Sequence, residues 1–333
     1  MPETVIVRLP NWLGDTVMAV PALRSLRSGL PGARVGLAGP WASLLAGQGL
    51  ADLLVTYPRR WSGRLRTADA VRDFAPDTAL LLPNSLEAAL AAWYWRARRR
   101  IGFAAEGRSW LLTDAVGLPS PRRHQVDEYL LLIERLGIAP VARQPHLSPP
   151  GEETEARTMV RALLREVGAA TTNGGPRPRV GVHLGAAFGP SKLWPSERIV
   201  EFCHIVAVGG GVPVLLGACE DLALAAAIMR AAPAASLVGR DNPALLPAVL
   251  AEIDALVCGD TGVGHLAAAL GTPVVTLFGP TDPRLTAPRG RVEVLSHPTP
   301  CSPCFYRTCP IEHPCLASIT AAEAAARLQR LLG

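Results

Sequence analysis

The sequence predicts an α/β protein of two domains, each a parallel sheet covered by helices. Short apolar runs alternate with Ala-, Leu- and Arg-rich helical stretches from end to end, which is typical of strands that alternate with helices. Several apolar runs are continuous, as expected of strands buried on both faces. The length of 333 residues exceeds one ordinary domain and suits two.

The predicted strands fall into two groups along the chain. The first group is Val5–Leu9, Ala33–Ala38, Leu53–Thr56 and Thr78–Leu82. The second is Arg179–Leu184, Val212–Leu216, Ser236–Val238, Ala255–Cys258, Val274–Phe278 and Val292–Leu295. The predicted helical segments include Ala19–Ser28, Glu87–Arg98, Asp127–Leu136, Thr154–Val167 and Leu222–Ala231.

The middle of the chain interrupts this alternation. Residues 139–151 carry four prolines, and residues 168–178 are rich in Gly, Pro and Thr. We interpret the helix between them as part of an interdomain connection. The predicted domains are 1–170 and 171–333. Ligands of such domains bind beyond the carboxyl ends of the strands, so strand-to-helix loops should carry the chemistry.

Composition excludes some classes of protein. Hydrophobic residues make up 49% and charged residues 18%, which excludes a disordered chain. There is no uninterrupted apolar run of about 18 residues, and the start resembles a strand rather than a signal peptide. We therefore expect a cytoplasmic protein with no transmembrane segment. The net charge of +5 fits nucleic acid, acidic lipid or a phosphorylated sugar, and equally a solvated surface.

The first motif, at residues 8–18, follows the first strand and opens a helix. Gly14 allows a tight turn. Asp15 lies at the helix start, where it is either an N-cap or a general base able to deprotonate a hydroxyl.

The second motif, at residues 185–195, follows the first strand of the second domain. The small residues Gly185 and Ala186 let backbone N–H groups approach an anion. Lys192 is the one lysine among 33 cationic residues, and a compact ammonium suits a diphosphate. Ser191 precedes it. The spacing is neither a Walker loop nor a GxGxxG fingerprint.

The third motif, at residues 258–271, joins a buried strand to an Ala-rich helix. Asp260 or Thr261 can cap this helix. Free N–H groups at Thr261 and Gly262 then form an anion site. His265, one turn on, is either a structural residue or a contact to sugar or phosphate.

Two further loops supply polar groups. Thr281 and Asp282 end the next strand-to-helix turn, either as turn residues or as ligands. Glu220 and Asp221 follow the strand that ends at Leu216. An acid there can hold ribose hydroxyls or cap a helix.

The cysteine-rich tail contains Cys301, Cys304, Cys309 and Cys315. A bound Zn or Fe–S group, free thiols and a disulfide all remain open. No catalytic role is needed from these residues, and we assign no metal.

Basic residues cluster in the first domain near Trp93 and Trp95. They are Arg59, Arg60, Arg64, Arg66, Arg96, Arg98, Arg99 and Arg100. Such a cluster serves nucleic acid, an anionic lipid surface or a phosphorylated acceptor. A solvated helical face is the plainer interpretation.

Together these motifs resemble the ADP-heptose:lipopolysaccharide heptosyltransferases, most of all the heptosyltransferase II branch. The segments that carry the resemblance are NWLGDTVMAVPALRSLR at 11–27, LLPNSLEAAL at 81–90, RRRIGF at 98–103, GAAFGPSKLWP at 185–195, GDTGVGHLAAALGTPVVTLFGPTDP at 259–283 and CSPCFYRTCPIEHPCL at 301–316.

The resemblance implies a GT-B fold, with an acceptor-binding first domain and an ADP-heptose-binding second domain. It implies an inverting transfer without a DxD metal motif, and no such motif is present. Asp15 would be the base that activates the acceptor hydroxyl. Lys192 would stabilise the diphosphate leaving group.

The remaining site residues follow the same division. The implied donor site comprises Gly185, Ala186, Ser191, Asp221, Asp260, Thr261, Gly262, His265, Thr281 and Asp282. The implied acceptor site comprises Asn11, Arg59, Arg60 and Arg99, which would face a phosphorylated Kdo–lipid A at the inner-membrane surface. Thr261 stands where the family often has Ser, which affects only the detailed donor contacts.

Other classes of function fit less well. A GT-B transferase with another nucleotide-sugar donor, or a glycan-binding relative without turnover, would share the architecture. A nicotinamide dehydrogenase lacks support because no GxGxxG follows the first strand. Nucleic acid would suit the charge but not the loop motifs, so we expect no nucleic-acid partner. Of the two heptose additions, we favour the second.

Overall fold

The computed structural model describes residues 2–58, 61–169, 177–240 and 243–333. The chain divides into two compact units, Met1–Leu147 and Ser148–Gly333. Each unit contains a six-stranded parallel sheet with helices, within the described residues. The predicted fold class is therefore confirmed at the level of the sheets.

In the first unit the strand order is β3-β2-β1-β4-β5-β6. The strands are β1 (Thr4–Arg8), β2 (Arg34–Gly39), β3 (Leu53–Thr56), β4 (Thr78–Leu81), β5 (Arg99–Phe103) and β6 (Asp114–Val116). The helices are α1 (Leu13–Met18), α2 (Val20–Gly29), α3 (Trp61–Asp73), α4 (Leu86–Tyr94) and α5 (Gln125–Glu134). The middle of the central strand β1 consists of Val5, Ile6 and Val7. All three are fully buried, as expected of a strand covered on both faces.

In the second unit the order is β12-β11-β10-β7-β8-β9. The strands are β7 (Arg179–His183), β8 (Val212–Leu216), β9 (Ala235–Ser236), β10 (Ala255–Gly259), β11 (Val274–Phe278) and β12 (Val292–Ser296). The helices are α6 (Glu155–Glu166), α7 (Ser196–Val208), α8 (Leu222–Ala231), α9 (Leu246–Glu252), α10 (Gly262–Leu270), α11 (Pro283–Thr286), α12 (Pro314–Ala317) and α13 (Ala321–Leu332). Because β11, β10 and β7 are neighbours, the loops that follow them emerge side by side.

The sequence analysis did not predict two of the strands, β5 and β6. The strand β5 begins with Arg99 and Arg100, which belong to the basic cluster, and β6 has only three residues. The predicted helix that ran to Arg98 ends earlier, at Tyr94. It stops because Arg96 adopts a left-handed backbone, with φ of 60°, which cannot continue a right-handed helix.

The boundary between the units differs from the expected position. The predicted boundary near residue 170 falls on residues 170–176, which lie outside the described residues. The helix that we assigned to the connection, α6, packs on α9 within the second unit. There the buried Arg157 donates to Glu252 at 2.6 Å, and an ion pair of this kind fixes α6 to its own unit.

No helix in the described ranges is both long and apolar enough to cross a membrane.

Candidate active site

Asp15 lies in the first turn of α1, directly beyond the carboxyl end of β1. The N-cap position is Trp12, so Asp15 does not cap the helix. Its half-buried carboxylate lies near Tyr129 of α5. Burial raises the pKa of Tyr129 well above its usual value, and the nearby charge of Asp15 raises it further. A carboxylate in this position can accept a proton from a bound hydroxyl.

Arg8 is a functional candidate that the sequence analysis did not single out. This buried guanidinium donates to the Oδ1 atom of Asn11 at 2.9 Å and faces Glu87 of α4 at 3.5 Å. It also lies 5.0 Å from the ring centroid of Tyr57. Arg8 thus fixes the loop before Asp15 to the first turn of α4. The signal was available, since Arg8 opens the first motif.

Of the proposed acceptor arginines, the structure describes Arg99, and it does not lie beside Asp15. Arg99 starts β5, at the amino edge of the sheet, whereas Asp15 lies beyond the carboxyl edge. The guanidinium of Arg99 pairs with Asp114 at 2.9 Å and with the carbonyl of Arg135 at 3.1 Å. Arg59 and Arg60 lie outside the described residues.

In the second unit, Lys192, Asp260 and Thr281 form one hydrogen-bonded network. The Nζ atom of Lys192 donates to the carboxylate of Asp260 and, at 3.1 Å, to the carbonyl of Asp260. Thr281 donates its hydroxyl to the same carboxylate at 2.8 Å. The three residues follow β7, β10 and β11, and their convergence results from the sheet order. The network places a cation and its counter-charge at the carboxyl edge of the sheet.

Close backbone approach makes this network possible. A side chain on Gly259 would meet the carbonyl of Lys192 at 2.6 Å, so only glycine lets the two loops come this near. The ammonium of Lys192 also lies 4.7 Å from the centroid of Phe188, a cation–π distance. Two interactions therefore position the one lysine of the chain.

The start of α10 provides hydrogen-bond donors beside this network. Thr261 is the N-cap in an extended conformation, and no side chain caps the helix. The Oγ1 atom of Thr261 is buried and has no hydrogen-bond partner within the part of the chain that the structure describes. The first N–H groups of a helix lack intrahelical acceptors and attract anions. Asp260 is not the cap, because its carboxylate binds Lys192. His265 is buried one turn further on.

Asp221 lies against the ends of β7 and β8. A side chain on Gly185 or on Gly217 would lie within 2.7 Å of the Oδ2 atom of Asp221. That carboxylate accepts from the Ala218 backbone at 3.0 Å and does not cap α8. Burial, followed by the nearby charge of Glu220, raises the pKa of Asp221. A partly desolvated acceptor at this edge suits hydroxyl groups of a ribose.

Three other predicted donor residues have local partners. Asp282 caps α11, accepts from the Arg284 backbone at 2.9 Å and pairs with the Arg284 side chain, which lowers the pKa of Asp282. Ser191 donates its hydroxyl to the carbonyl of Tyr306. The carbonyl of Ala186 closes a turn by accepting from Gly189 at 3.1 Å. These contacts shape the loops that surround the network.

The cysteine-rich tail packs on the same loops. The backbone N–H of Phe305 donates to the carbonyl of Pro280 at 2.8 Å. The backbone N–H of Ser191 donates to the carbonyl of Arg307 at 3.1 Å. The four cysteines are free thiols. Within the described residues no three His, Cys, Asp or Glu side chains are placed to hold a metal ion together. The geometry thus assigns the tail a supporting role beside the Lys192 loop.

Comparisons with known proteins identify the family. The model of glycosyltransferase family 9 (heptosyltransferase) matches residues 64–314. Lipooligosaccharide heptosyltransferase 2 of Haemophilus influenzae is 27% identical over 303 residues, 85% of each chain. Lipopolysaccharide heptosyltransferase 2 of Escherichia coli is 28% identical over 301 residues, again 85% of each.

Solved structures support the fold. The ADP-heptose lipopolysaccharide heptosyltransferase II of Escherichia coli superposes with a TM-score of 0.82 at 26% identity, covering 99% of this chain and 98% of the other. A family 9 glycosyltransferase of Veillonella parvula gives a TM-score of 0.83 at 20% identity, covering 99% and 97%. The expected GT-B class is confirmed by these matches.

Proposed function

Because the chain belongs to glycosyltransferase family 9, the heptosyltransferase family, it is a glycosyltransferase, and we propose that it adds a heptose to the lipopolysaccharide inner core. The proposed donor is ADP-L-glycero-D-manno-heptose, and the proposed acceptor is heptosyl-Kdo2-lipid A. The reaction would take place in the cytoplasm, at the surface of the inner membrane. The observation that carries this proposal is the Lys192–Asp260–Thr281 network beside the start of α10.

The second unit is the proposed donor domain. A diphosphate would bind the N–H groups at Thr261 and Gly262 and the ammonium of Lys192. Asp260 holds that ammonium in place through its carboxylate and its carbonyl. Asp221 would accept hydrogen bonds from the ribose. A cation fixed in advance stabilises the negative charge that develops on the departing ADP, and this lowers the barrier.

The first unit is the proposed acceptor domain. The acceptor hydroxyl would attack the anomeric carbon of the heptose from the face opposite ADP, so that the configuration inverts. The new C–O bond forms as the bond to the diphosphate breaks, and ADP leaves with that electron pair. The hydroxyl proton passes to Asp15. Asn11, Arg59, Arg60 and Arg99 remain the proposed acceptor contacts, of which Arg99 is supported least.

ADP release tests this function. We expect wild type to release ADP from ADP-heptose when heptosyl-Kdo2-lipid A is added, and more slowly with Kdo2-lipid A. Asp15→Asn and Lys192→Ala should each lose about 100-fold or more in kcat. Arg198→Ala is the control for Lys192→Ala, because Arg198 pairs with Glu201 on the surface of α7 and its removal lowers the net charge by the same single unit.

A failure of wild type with both acceptors would overturn the heptosyltransferase proposal. A panel of other nucleotide sugars would then separate the two alternatives. Turnover of another donor would identify a different GT-B transferase. Acceptor binding without any turnover would identify a glycan-binding relative.

A further inference from the structure

The helix α4 is apolar on its outward face as well as on its inward face. Its inward face consists of three fully buried alanines, Ala88, Ala89 and Ala92. Its outward face carries Leu86, Leu90 and Trp93, spaced i, i+4 and i+7 on one side. Leu90 is 42% exposed and Trp93 is 61% exposed. A surface helix ordinarily turns polar residues outward, yet Glu87 is the one charged residue of α4.

A second aromatic side chain extends this face. Trp110, which is 73% exposed, lies in a 3-10 helix, Ser109–Leu111, that packs against α4. The buried Arg108 fixes the two together, because its guanidinium donates to the carbonyls of Pro83 and Ser85 immediately before α4. We call Leu86, Leu90, Trp93 and Trp110 the α4 face. Contiguous exposed apolar groups of this size mark interaction surfaces.

The stretch of sequence that contains α4 is positively charged, and two of its arginines lie at the helix itself. Arg72 lies 5.4 Å from the ring centroid of Tyr94, and Arg96 is exposed two residues after α4 ends. Residues 58–100, which include α3 and α4, contain nine arginines and four carboxylates. Their surplus of five equals the net charge of the whole chain, +5, so the rest of the sequence is balanced. An anionic bilayer fits both properties, since Trp and Leu insert at the headgroup boundary while arginines remain among the lipid phosphates. A second copy of this chain would instead bring the same surplus against itself.

The α4 face also adjoins the loop that carries the proposed base. Arg8 contacts both Asn11, four residues before Asp15, and Glu87 in the first turn of α4. These contacts lie within the first unit and join α4 to the Asp15 loop. A surface that docks through α4 would therefore hold Asp15 close to the lipid headgroups.

We propose that the α4 face is a membrane-docking surface, which inserts into the headgroup boundary of an anionic bilayer and presents the Asp15 loop to a lipid-linked acceptor. The proposal rests on the proposed function for the identity of that acceptor. The docking itself depends only on the apolar side chains and the local positive charge.

Vesicle sedimentation tests the docking. The probes are vesicles of equal parts phosphatidylglycerol and phosphatidylcholine, and vesicles of phosphatidylcholine alone. The variant Leu90→Gln/Trp93→Gln/Trp110→Gln should bind the anionic vesicles about tenfold more weakly or worse, because burial of each large apolar side chain is lost. Trp110→Gln alone should show a smaller loss. The matched control is Val208→Gln on α7, since Val208 is 89% exposed in the other unit.

The expected pattern has two further parts. Wild type should bind the anionic vesicles more tightly than the neutral ones, and added salt should reduce the difference. In detergent-dispersed heptosyl-Kdo2-lipid A, the triple variant should release ADP at the wild-type rate. With the same acceptor embedded in vesicles, its rate should fall.

The two proposals fail in different ways. Wild-type turnover in detergent, together with no vesicle binding or with equal binding by the triple variant, would overturn the docking surface and leave the transferase. A change in oligomeric state instead of vesicle binding would also overturn it. Vesicle binding that depends on the α4 face, without ADP release by wild type, would keep the surface and overturn the heptosyltransferase.

Discussion

At the scale of single residues, the site depends on charges that are held before any ligand binds. Lys192 is held by the carboxylate and the carbonyl of Asp260, and Thr281 orients that carboxylate through a 2.8 Å hydrogen bond. A diphosphate that binds here would meet a cation whose position is already set, so little reorganisation is needed when charge develops.

The partly buried position of Asp221 predicts that Asp221→Asn increases the stability of the fold and weakens donor binding. Burial raises the pKa of Asp221 above its usual value of 3.8. The unfolded chain therefore ionises this group more readily than the folded chain does. Ionisation of Asp221 therefore destabilises the folded chain. This loss of stability develops as the pH rises from 3.8 through the folded pKa, and it is complete above the folded pKa. We expect Asp221→Asn to raise Tm at neutral pH and to bind ADP more weakly.

Calorimetry across pH and ADP titration measure the two effects. The gain in Tm should shrink as the pH falls through the folded pKa and vanish below 3.8, where wild-type Asp221 is protonated in both states. A lower Tm for Asp221→Asn at neutral pH would contradict the prediction. It would show that the hydrogen bond from Ala218 to the carboxylate outweighs the cost of burial. Glu153→Gln is the control, because Glu153 is an exposed carboxylate of the same unit that does not contribute to the pKa shift of Asp221.

The sequence could identify the residues of the network but not their partnership. Lys192 and Asp260 stood out as a lone lysine and as part of a Gly-rich turn, yet 68 residues separate them. They meet because β10 pairs with β7, and the order of strands in a sheet is a property of the whole domain. For the same reason Arg8 was missed, since a buried arginine at a strand end is recognised by its contacts with Asn11 and Glu87.

At the scale of elements, close packing of loops positions the chemistry. The loop that carries Lys192 is held from one side by Gly259 and from the other by the cysteine-rich tail. Gly189 has φ of 149°, and a side chain there would lie 2.5 Å from the carbonyl of Arg307. Two backbones can approach this closely only where a glycine stands.

Gly189→Ala should therefore weaken both folding and donor binding. The backbone conformation alone disfavours alanine by about 1–3 kcal/mol, and the clash with Arg307 adds to this. Displacing the tail should also move Lys192, so we expect weaker ADP binding. The control is Gly210→Ala, which has a positive φ of 83° but open space around it. Thermal melting and ADP titration would contradict the prediction if both variants behaved alike.

Elements were predicted well where they are apolar and poorly where they are not. Nine of the ten predicted strands are present, because continuous Val, Leu and Ile runs are typical of buried parallel strands. The tenth, predicted at Ser236–Val238, overlaps the two-residue β9 (Ala235–Ser236) only at Ser236. The strand β5 was missed because Arg99 and Arg100 begin it and are neutralised or bonded by tertiary partners, Asp114 and the carbonyl of Leu111. Such partners are invisible to local periodicity.

At the scale of the whole molecule, each unit carries the residues that we propose for its own part of the reaction. Lys192, Asp221, Asp260 and Thr281 all lie in Ser148–Gly333, together with the core that supports them. Asp15 and the α4 face lie in Met1–Leu147. The two proposed chemical roles, holding the donor and activating the acceptor, thus fall in separate cores.

This division predicts that the second unit binds ADP alone. A fragment of residues 148–333 should fold and bind ADP with nearly the affinity of the full chain, and Lys192→Ala should abolish that binding. It should release no ADP in response to acceptor, because Asp15 is absent.

A fragment of residues 171–333 should be much less stable. It lacks α6, so it loses the ion pair of Arg157 with Glu252 at 2.6 Å and exposes the face of α9 on which α6 packs. Equal melting temperatures for the two fragments would show that α6 does not stabilise the second unit. If the fragment of residues 148–333 folds but cannot bind ADP, the donor site needs the first unit.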